Sequence, residues 1–213
     1  MKIKVFQGGF DKNLSYLIWC DKTNIAAIID PAVEINPIIE YITSHNLILS
    51  KILITHTHHD HIFYLEDFKY LFPNLEIVCS NITKNETFNF NGVEHKEIIS
   101  IGEEIIICLH TPGHFYNSIC YWNKNNSILF TGDTMFVGRT GRTIGAKSNI
   151  SHLYTSIYDK LLILPPQTII YSGHHYGFKK IITLKENVRL SSFFQCNSES
   201  EFIQVMKQYE KNR

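Results

Sequence analysis

No apolar run in this chain approaches the roughly 20 residues that span a bilayer, and its first residues, Met1-Lys-Ile-Lys-Val-Phe-Gln-Gly-Gly, lack the apolar stretch of a secretory leader. The expected location is the cytoplasm, with no membrane partner. Charge of one sign is also missing. Lys+Arg and Asp+Glu number 20 each, so there is no basic surplus to displace counterions from a nucleic acid, and no nucleic-acid partner is expected. The five cysteines, Cys20, Cys79, Cys108, Cys120 and Cys196, are odd in number and widely spaced, with no CxxC pair. That argues against a disulfide framework or thiolate metal ligands and predicts buried, reduced thiols. Repeats, low-complexity tracts and a Pro/Gly-rich linker are absent as well. With 213 residues, 44% of them hydrophobic, one domain over 1–213 with a substantial core is expected.

What is present is a series of short runs rich in Ile, Val and Tyr. Strands are predicted at Leu14–Cys20, Ile25–Asp30, Lys51–Thr55, Leu75–Cys79, Glu104–His110, Ser118–Trp122, Ile128–Thr131 and Thr168–Tyr171. Helical spacing covers Asn36–His45, Asp60–Leu71, Asn149–Leu162, Ile181–Leu190 and Ser200–Tyr209, with Ser198 and Ser200 as candidate caps of the last. Strands come in adjacent groups with helices between the groups, which suits sheets covered by helices better than strict βαβ alternation. Gly138–Asn149 reads as a glycine-punctuated loop, of the kind that either lines a site or simply connects elements.

Histidine, at 11 residues, is the unusual count. Directly after the strand at Lys51 comes Thr55-His56-Thr57-His58-His59-Asp60-His61, an HxHxDH pattern. Chance would place such a pattern in a chain of this composition about once in a thousand. His56 and His58, two apart on extended backbone, point to one side and can share one ion. Asp60 and His61 follow where the chain turns into a helix, so they can face a second ion. A metal needs further ligands, and other predicted strands end in them: Thr111-Pro112-Gly113-His114, Gly132-Asp133 and Gly173-His174. Gly132 would permit close backbone approach, and Asp133 has two oxygens with which to bridge. The expected sets are His56, His58, His114 and Asp133 for one ion, and Asp60, His61, Asp133 and His174 for the other. These nitrogen and oxygen donors suit an open catalytic centre rather than a closed structural zinc site. They admit two divalent transition-metal ions, zinc first, with iron or manganese compatible. The other histidines, His45, His59, His95, His110, His152 and His175, lack partners at matching spacing, although His59 and His175 abut ligands.

With HxHxDH at 56–61, His114, Asp133 and His174 all in order, the chain resembles the metallo-β-lactamase superfamily. That resemblance implies an α/β protein of the αββα sandwich type, two mixed sheets flanked by helices, with metals at one edge. The stretches Phe130-Thr-Gly-Asp-Thr-Met-Phe-Val-Gly-Arg-Thr-Gly-Arg142 and Tyr171-Ser-Gly-His-His-Tyr-Gly177 are similar to the glyoxalase II group, which hydrolyses S-acylglutathione thioesters. They are also similar to the persulfide dioxygenases, which oxidise glutathione persulfide on a single iron held by the equivalents of His56, His114 and Asp133. In both groups the basic residue at Arg142 and the tyrosine at Tyr176 contact glutathione.

Departures separate the relatives. Thr143-Ile144 stands where long glyoxalase II proteins have an aromatic pair, only about 40 residues follow His174, and Ile144-Gly145 replaces the Asp-Phe usual in the dioxygenases. Asp133 occupies the place where zinc lactamases commonly use Cys. The expected activity is hydrolysis of a thioester of glutathione or a similar small thiol, by a hydroxide on the metals and with Asp60 both holding metal and orienting the nucleophile. The alternatives are a mononuclear iron dioxygenase or another hydrolase of this fold. A binding module without turnover would betray itself by a missing ligand, and all seven are present.

Overall fold

Side chains alternate along the strands between two environments, and this sorts the apolar residues into a central core and two outer ones. Leu14, Tyr16, Ile18, Ala27, Ile29, Leu53 and Val78 face Ile106, Cys108, Ile119, Tyr121, Ile128 and Phe130 in the central layer. Their neighbours Leu17, Ala26, Ile28, Ile52 and Ile77 face the opposite way. Burial on both faces explains why these strands read as continuous apolar runs. Truncating Phe130 to alanine in the central layer would cost about 3–5 kcal/mol.

The computed structural model describes residues 1–84 and 87–211. The first sheet holds β1 (Lys2–Gly8), β2 (Asn13–Trp19), β3 (Ile25–Ile29), β4 (Ile48–Leu53), β5 (Glu76–Ser80) and β6 (Asn91–Val93) in chain order. It is antiparallel from β1 to β3 and parallel from β3 to β6. The second sheet starts with β7 (Ile98–Ile101), β8 (Glu104–His110), β9 (Ile119–Asn123) and β10 (Ile128–Gly132). A small hairpin of β11 (Met135–Phe136) and β12 (Arg139–Thr140) follows, then β13 (Ile169–Ser172) and β14 (Ile181–Thr183) complete the order β14-β13-β10-β9-β8-β7. Only β10 and β13 pair in parallel there.

Helices α1 (Ile35–Ser44) and α2 (Leu65–Leu71) cover the outer face of the first sheet through Ile38, Ile42, Leu65 and Phe68. Over the second sheet lie α3 (Ile150–Thr155), which continues into a π-helical turn at Ser156–Leu161, α4 (Leu184–Leu190) and α5 (Glu199–Lys211). Their Leu153, Ile157, Leu161, Leu184, Phe202 and Met206 pack on Leu109, Cys120, Leu129 and Ile170. The four layers are the expected αββα sandwich of two mixed sheets.

All eight predicted strands form, with ends displaced by a few residues. The helix expected over Ile181–Leu190 begins only at Leu184, because Ile181–Thr183 pair with β13 as β14. Thr183 then caps α4, its Oγ1 accepting from Glu186 N at 3.2 Å. Likewise the helix expected from Asp60 begins at Leu65, and His59–His61 form a single 3-10 turn. Ser198 caps α5 as expected, accepting from Glu201 N at 3.2 Å, and all five cysteines are buried, with none in a disulfide. Among the described residues no helix is long and apolar enough to cross a membrane.

Candidate metal centre

The two sheets are stitched together at one rim. From the first sheet, Tyr16 Oη donates to the Ser172 carbonyl (2.6 Å) and Leu14 N to that of Gly173 (2.8 Å). From the second, Tyr121 Oη donates to the Ile54 carbonyl (2.8 Å) and Ile119 N to that of Thr55 (2.8 Å). Two glycines make this approach possible. Gly132 ends β10 at φ +48°, and a Cβ there would run into the Thr55 side chain. A Cβ on Gly173 would lie 2.6 Å from His61 Cε1 and overlap Asp133. The strand ends carrying Asp133 and His174 thus come directly against the turn that carries His56 to His61.

All seven expected ligands converge there. Their donor atoms form three overlapping groups, each within 4.8 Å: His56 with His58 and His114, His56 with His61 and Asp133, and Asp60 with His61 and His174. His58 Nδ1 lies 2.9 Å from His56 Nε2 and 3.0 Å from His114 Nε2, and His61 Nε2 lies 3.2 Å from His174 Nε2. Ligands held on arms of about 2.1 Å stand about 3.0–3.4 Å apart around an octahedral or tetrahedral ion. The spacing fits. Asp133 stands between the groups, with Oδ2 3.5 Å from His114 Nε2 and 3.4 Å from His174 Nε2, and Oδ1 3.2 Å from His61 Nε2. Its Oδ1 is buried and accepts no hydrogen bond of good geometry, so it is an acceptor that a cation can satisfy.

The far side of each ring fixes which nitrogen faces inward. His114 Nδ1 donates to the Arg142 carbonyl (2.9 Å) and His174 Nδ1 to the Asp11 carbonyl (2.9 Å), since a carbonyl can only accept. Thr55 Oγ1 gives its own proton to Asp30 Oδ2 (2.6 Å) and so accepts from His56 Nδ1 (3.2 Å). Asp30 Oδ2 also accepts from His61 Nδ1 (2.8 Å). In all four rings Nε2 is left to point inward, the arrangement that metal-bound histidines use.

Electrostatics divide the cluster. Burial, reinforced by neighbouring imidazoles, pushes His56 well down and His58 down to about 4, and burial lowers His114 too, so these three are neutral near pH 7. At His61 and His174 burial opposes the charge but Asp133 outweighs it, helped by Asp30 at His61 and Asp60 at His174. His174 is raised to about 9 and His61 well above its ordinary value. Burial also opposes ionisation of Asp60 and Asp133, yet His174 and His61 hold both carboxyls below the usual range, with Asn13 Nδ2 (2.9 Å) assisting at Asp60. The chain therefore holds three neutral imidazoles beside a quartet whose two protons a divalent cation can displace.

The family model of the metallo-beta-lactamase superfamily matches residues 8–174. The chain belongs to the metallo-beta-lactamase superfamily. Within it, the chain is 34% identical over 208 residues to the probable hydroxyacylglutathione hydrolase glo2 of Schizosaccharomyces pombe, spanning 95% of this chain and 77% of that protein. It is 32% identical over 174 residues to the cytoplasmic hydroxyacylglutathione hydrolase of Arabidopsis thaliana, 79% of this chain and 66% of the relative. Of solved structures, ETHE1 from Myxococcus xanthus superposes with a TM-score of 0.89 at 28% identity, covering 98% of this chain and 91% of that one.

In this superfamily member the loop over Gly138–Asn149 does line the site. A cleft of about 410 Å³ opens from His58 and His114 between Phe115 and a wall of Arg142, Ile144, Gly145, Ala146 and Lys147. The Arg142 side chain is exposed at its mouth. Tyr176 is stacked on the His174 ring (4.7 Å, 7°), with Oη donating to Asp11 Oδ2 (2.6 Å) and the Arg139 guanidinium 4.2 Å over its face. Arg142 and Tyr176 both line a small pocket beside His114 and Asp133. His59 packs on Phe63 instead of joining the cluster (5.1 Å).

Sequence reasoning missed Asp30, Asn13 and Thr55. Asp30 is buried and ends an apolar strand, which is the signal that identified Asp133. Thr55, directly before the first histidine, offered none.

Proposed function

We propose that this chain is a metal-dependent hydrolase of thioesters of glutathione or a similar small thiol. The observation that carries the reading is the Asp133 carboxylate, whose oxygens stand 3.2–3.5 Å from His114, His61 and His174 and so face both ligand groups at once. His56, His58, His114 and Asp133 would hold one ion, and Asp60, His61, Asp133 and His174 the other. Zinc is the first choice, and iron or manganese is compatible with the same donors. Two such ions, when bound, supply Lewis acidity at the substrate carbonyl and make water a nucleophile near neutral pH.

The chain's own groups do the rest. Asp60 Oδ2, fixed by Asn13 and adjacent to His174 Nε2 at 3.3 Å, accepts a hydrogen bond from the attacking water and orients it. Arg142, at the cleft mouth, pairs with a substrate carboxylate, and Tyr176 flanks the thiol part from the His174 side. Phe115 and Ile144 give the cleft apolar walls that limit water. The relatives named hydroxyacylglutathione hydrolase support glutathione as the thiol. We further propose that the protein is cytoplasmic and forms one domain over 1–213; five buried cysteines, none in a disulfide, support the cytoplasmic part.

Metal stoichiometry measured together with anaerobic cleavage of S-lactoylglutathione tests this. Close to two ions per chain, with free thiol released without oxygen, is the expected result. One iron per chain, no anaerobic cleavage, and oxygen uptake with glutathione persulfide would instead assign the mononuclear dioxygenase chemistry to which the sequence is also similar.

A further inference from the structure

The last turn of α5 reaches back to the loop that carries Arg142. Glu210 Oε1 accepts from Thr143 N at 2.6 Å and from Thr143 Oγ1 at 3.0 Å. One residue earlier on the helix, Tyr209 Oη accepts from Arg139 Nη1 at 3.0 Å. Thr143 N and the Arg142 carbonyl belong to one planar peptide group, so whatever fixes one end fixes the other. That carbonyl accepts from His114 Nδ1 at 2.9 Å. A continuous line therefore runs from the Glu210 carboxylate through the 142–143 peptide to the far nitrogen of His114, whose Nε2 faces the metal cluster.

Each link strengthens the next. A carboxylate on the N–H end polarises a peptide and makes its carbonyl a better acceptor, and a better acceptor on Nδ1 makes Nε2 a more basic ligand. The position of Glu210 is informative in itself. An acid in the last turn stands at the negative end of the helix dipole, where a base is favoured. Its stabilising contribution must come from the bonds it makes outside the helix.

We propose that Glu210 is a positioning residue for the metal centre: through the 142–143 peptide it orients His114 and raises its ligand strength, and it holds the Arg142 backbone at the cleft mouth. The metal part rests on His114 being a ligand, and the Arg142 part on the thioester reading given above. The tail of this chain is then part of the site's support, and not only a cover for the second sheet.

Chelator competition on the full-length protein tests the metal part without any substrate. Glu210→Ala is expected to weaken metal binding about tenfold, the lower end of what loss of a ligand's hydrogen-bonded support costs. Glu210→Gln keeps an acceptor for both Thr143 bonds but loses the charge, and is expected to fall between, about threefold weaker. Lys207→Ala, exposed on the same helix, serves as the control and is expected to behave as the unmodified chain. With Zn-loaded protein, Glu210→Ala should also raise KM for S-lactoylglutathione severalfold, and this rise should vanish in an Arg142→Ala background. Metal affinity within twofold of the unmodified chain in both Glu210 variants would overturn the proposal. Should the alanine variant not fold, the glutamine variant decides alone, on the same criterion. A chain that cleaves no thioester, yet loses metal affinity on Glu210→Ala, would refute the substrate reading and leave the relay standing.

Discussion

Replacing Asp30 by asparagine should turn His61 from a ligand into a non-ligand without unfolding the protein. In the native chain Asp30 only accepts: Oδ1 takes Thr55 N (2.7 Å), and Oδ2 takes Thr55 Oγ1 (2.6 Å) and His61 Nδ1 (2.8 Å). In Asp30→Asn the amide oxygen can still serve Thr55 N, but the NH2 group then meets His61 Nδ1. That nitrogen has to become an acceptor, and the ring proton moves to Nε2, the atom 3.2 Å from both Asp133 Oδ1 and His174 Nε2. A protonated Nε2 cannot coordinate. Disturbing the partner of a ligating histidine costs about 10- to 100-fold in metal affinity, or about 1.4–2.7 kcal/mol. The loss should fall on the group formed by Asp60, His61 and His174. Asp30→Ala is a different perturbation, because it strands three donors at about 1–3 kcal/mol each, out of a total stability of about 5–15 kcal/mol. The alanine variant is therefore expected to fold poorly, while the asparagine variant keeps a near-native melting temperature. Metal content at a fixed chelator concentration should drop from about two ions to about one. Two ions retained at unchanged affinity in Asp30→Asn would refute the tautomer reasoning.

Asp133→Ala should remove both ions and all turnover, since its carboxylate faces both groups; full metal content by elemental analysis would sink the binuclear reading. Arg142→Ala should weaken binding of a glutathione thioester by about 1–3 kcal/mol and spare metal content, and an unchanged KM would mean that the thiol is held elsewhere. Metal uptake by the apoprotein should release protons, because His174 is raised to about 9 and His61 is also raised by the carboxylates beside them. The sign follows: below pH 9 the ion must displace a proton from His174, and His61 adds to this in the same direction, so apparent affinity climbs as pH rises from 7 through 9. Calorimetry in buffers of different ionisation enthalpy would detect this, and equal apparent enthalpies would contradict it.

Much of this was readable from residue order, for identifiable reasons. Strands buried on both faces announce themselves as apolar runs, and ligands that sit immediately past such runs inherit their visibility; His56 to His61, His114, Asp133 and His174 all do. Elements that bury little escaped. β1 alternates between exposed and half-buried residues, β6 has three residues, and β11 and β12 have two each. β14 was hidden because Ile181–Leu190 has helical spacing throughout, and only pairing with β13 decides its first three residues. Asp30 was visible but unclaimed, since nothing local says that a strand-end carboxylate supports a histidine 31 positions away. Glu210, 67 residues from the amide it binds, had no local signal at all.

That the cluster draws His56, His58, Asp60 and His61 from one sheet and His114, Asp133 and His174 from the other bears on how the protein acquires its ions during synthesis. Translation at about 5–20 residues per second leaves about 6–24 s between the emergence of His56 and that of His174. Over about the first half of that interval, before His114 has emerged, the nascent chain offers four donors from a single turn, with no second sheet to orient them. The group of Asp60, His61, Asp133 and His174 cannot be complete before His174 has emerged, so an ion shared by that group would be taken up only once the sheets have closed on each other. Its identity would then follow the divalent ions that the cell holds free at that moment, and the general preference order of imidazole and carboxylate donors. Cells grown with excess iron or excess zinc should therefore yield protein with the same fold and a different metal.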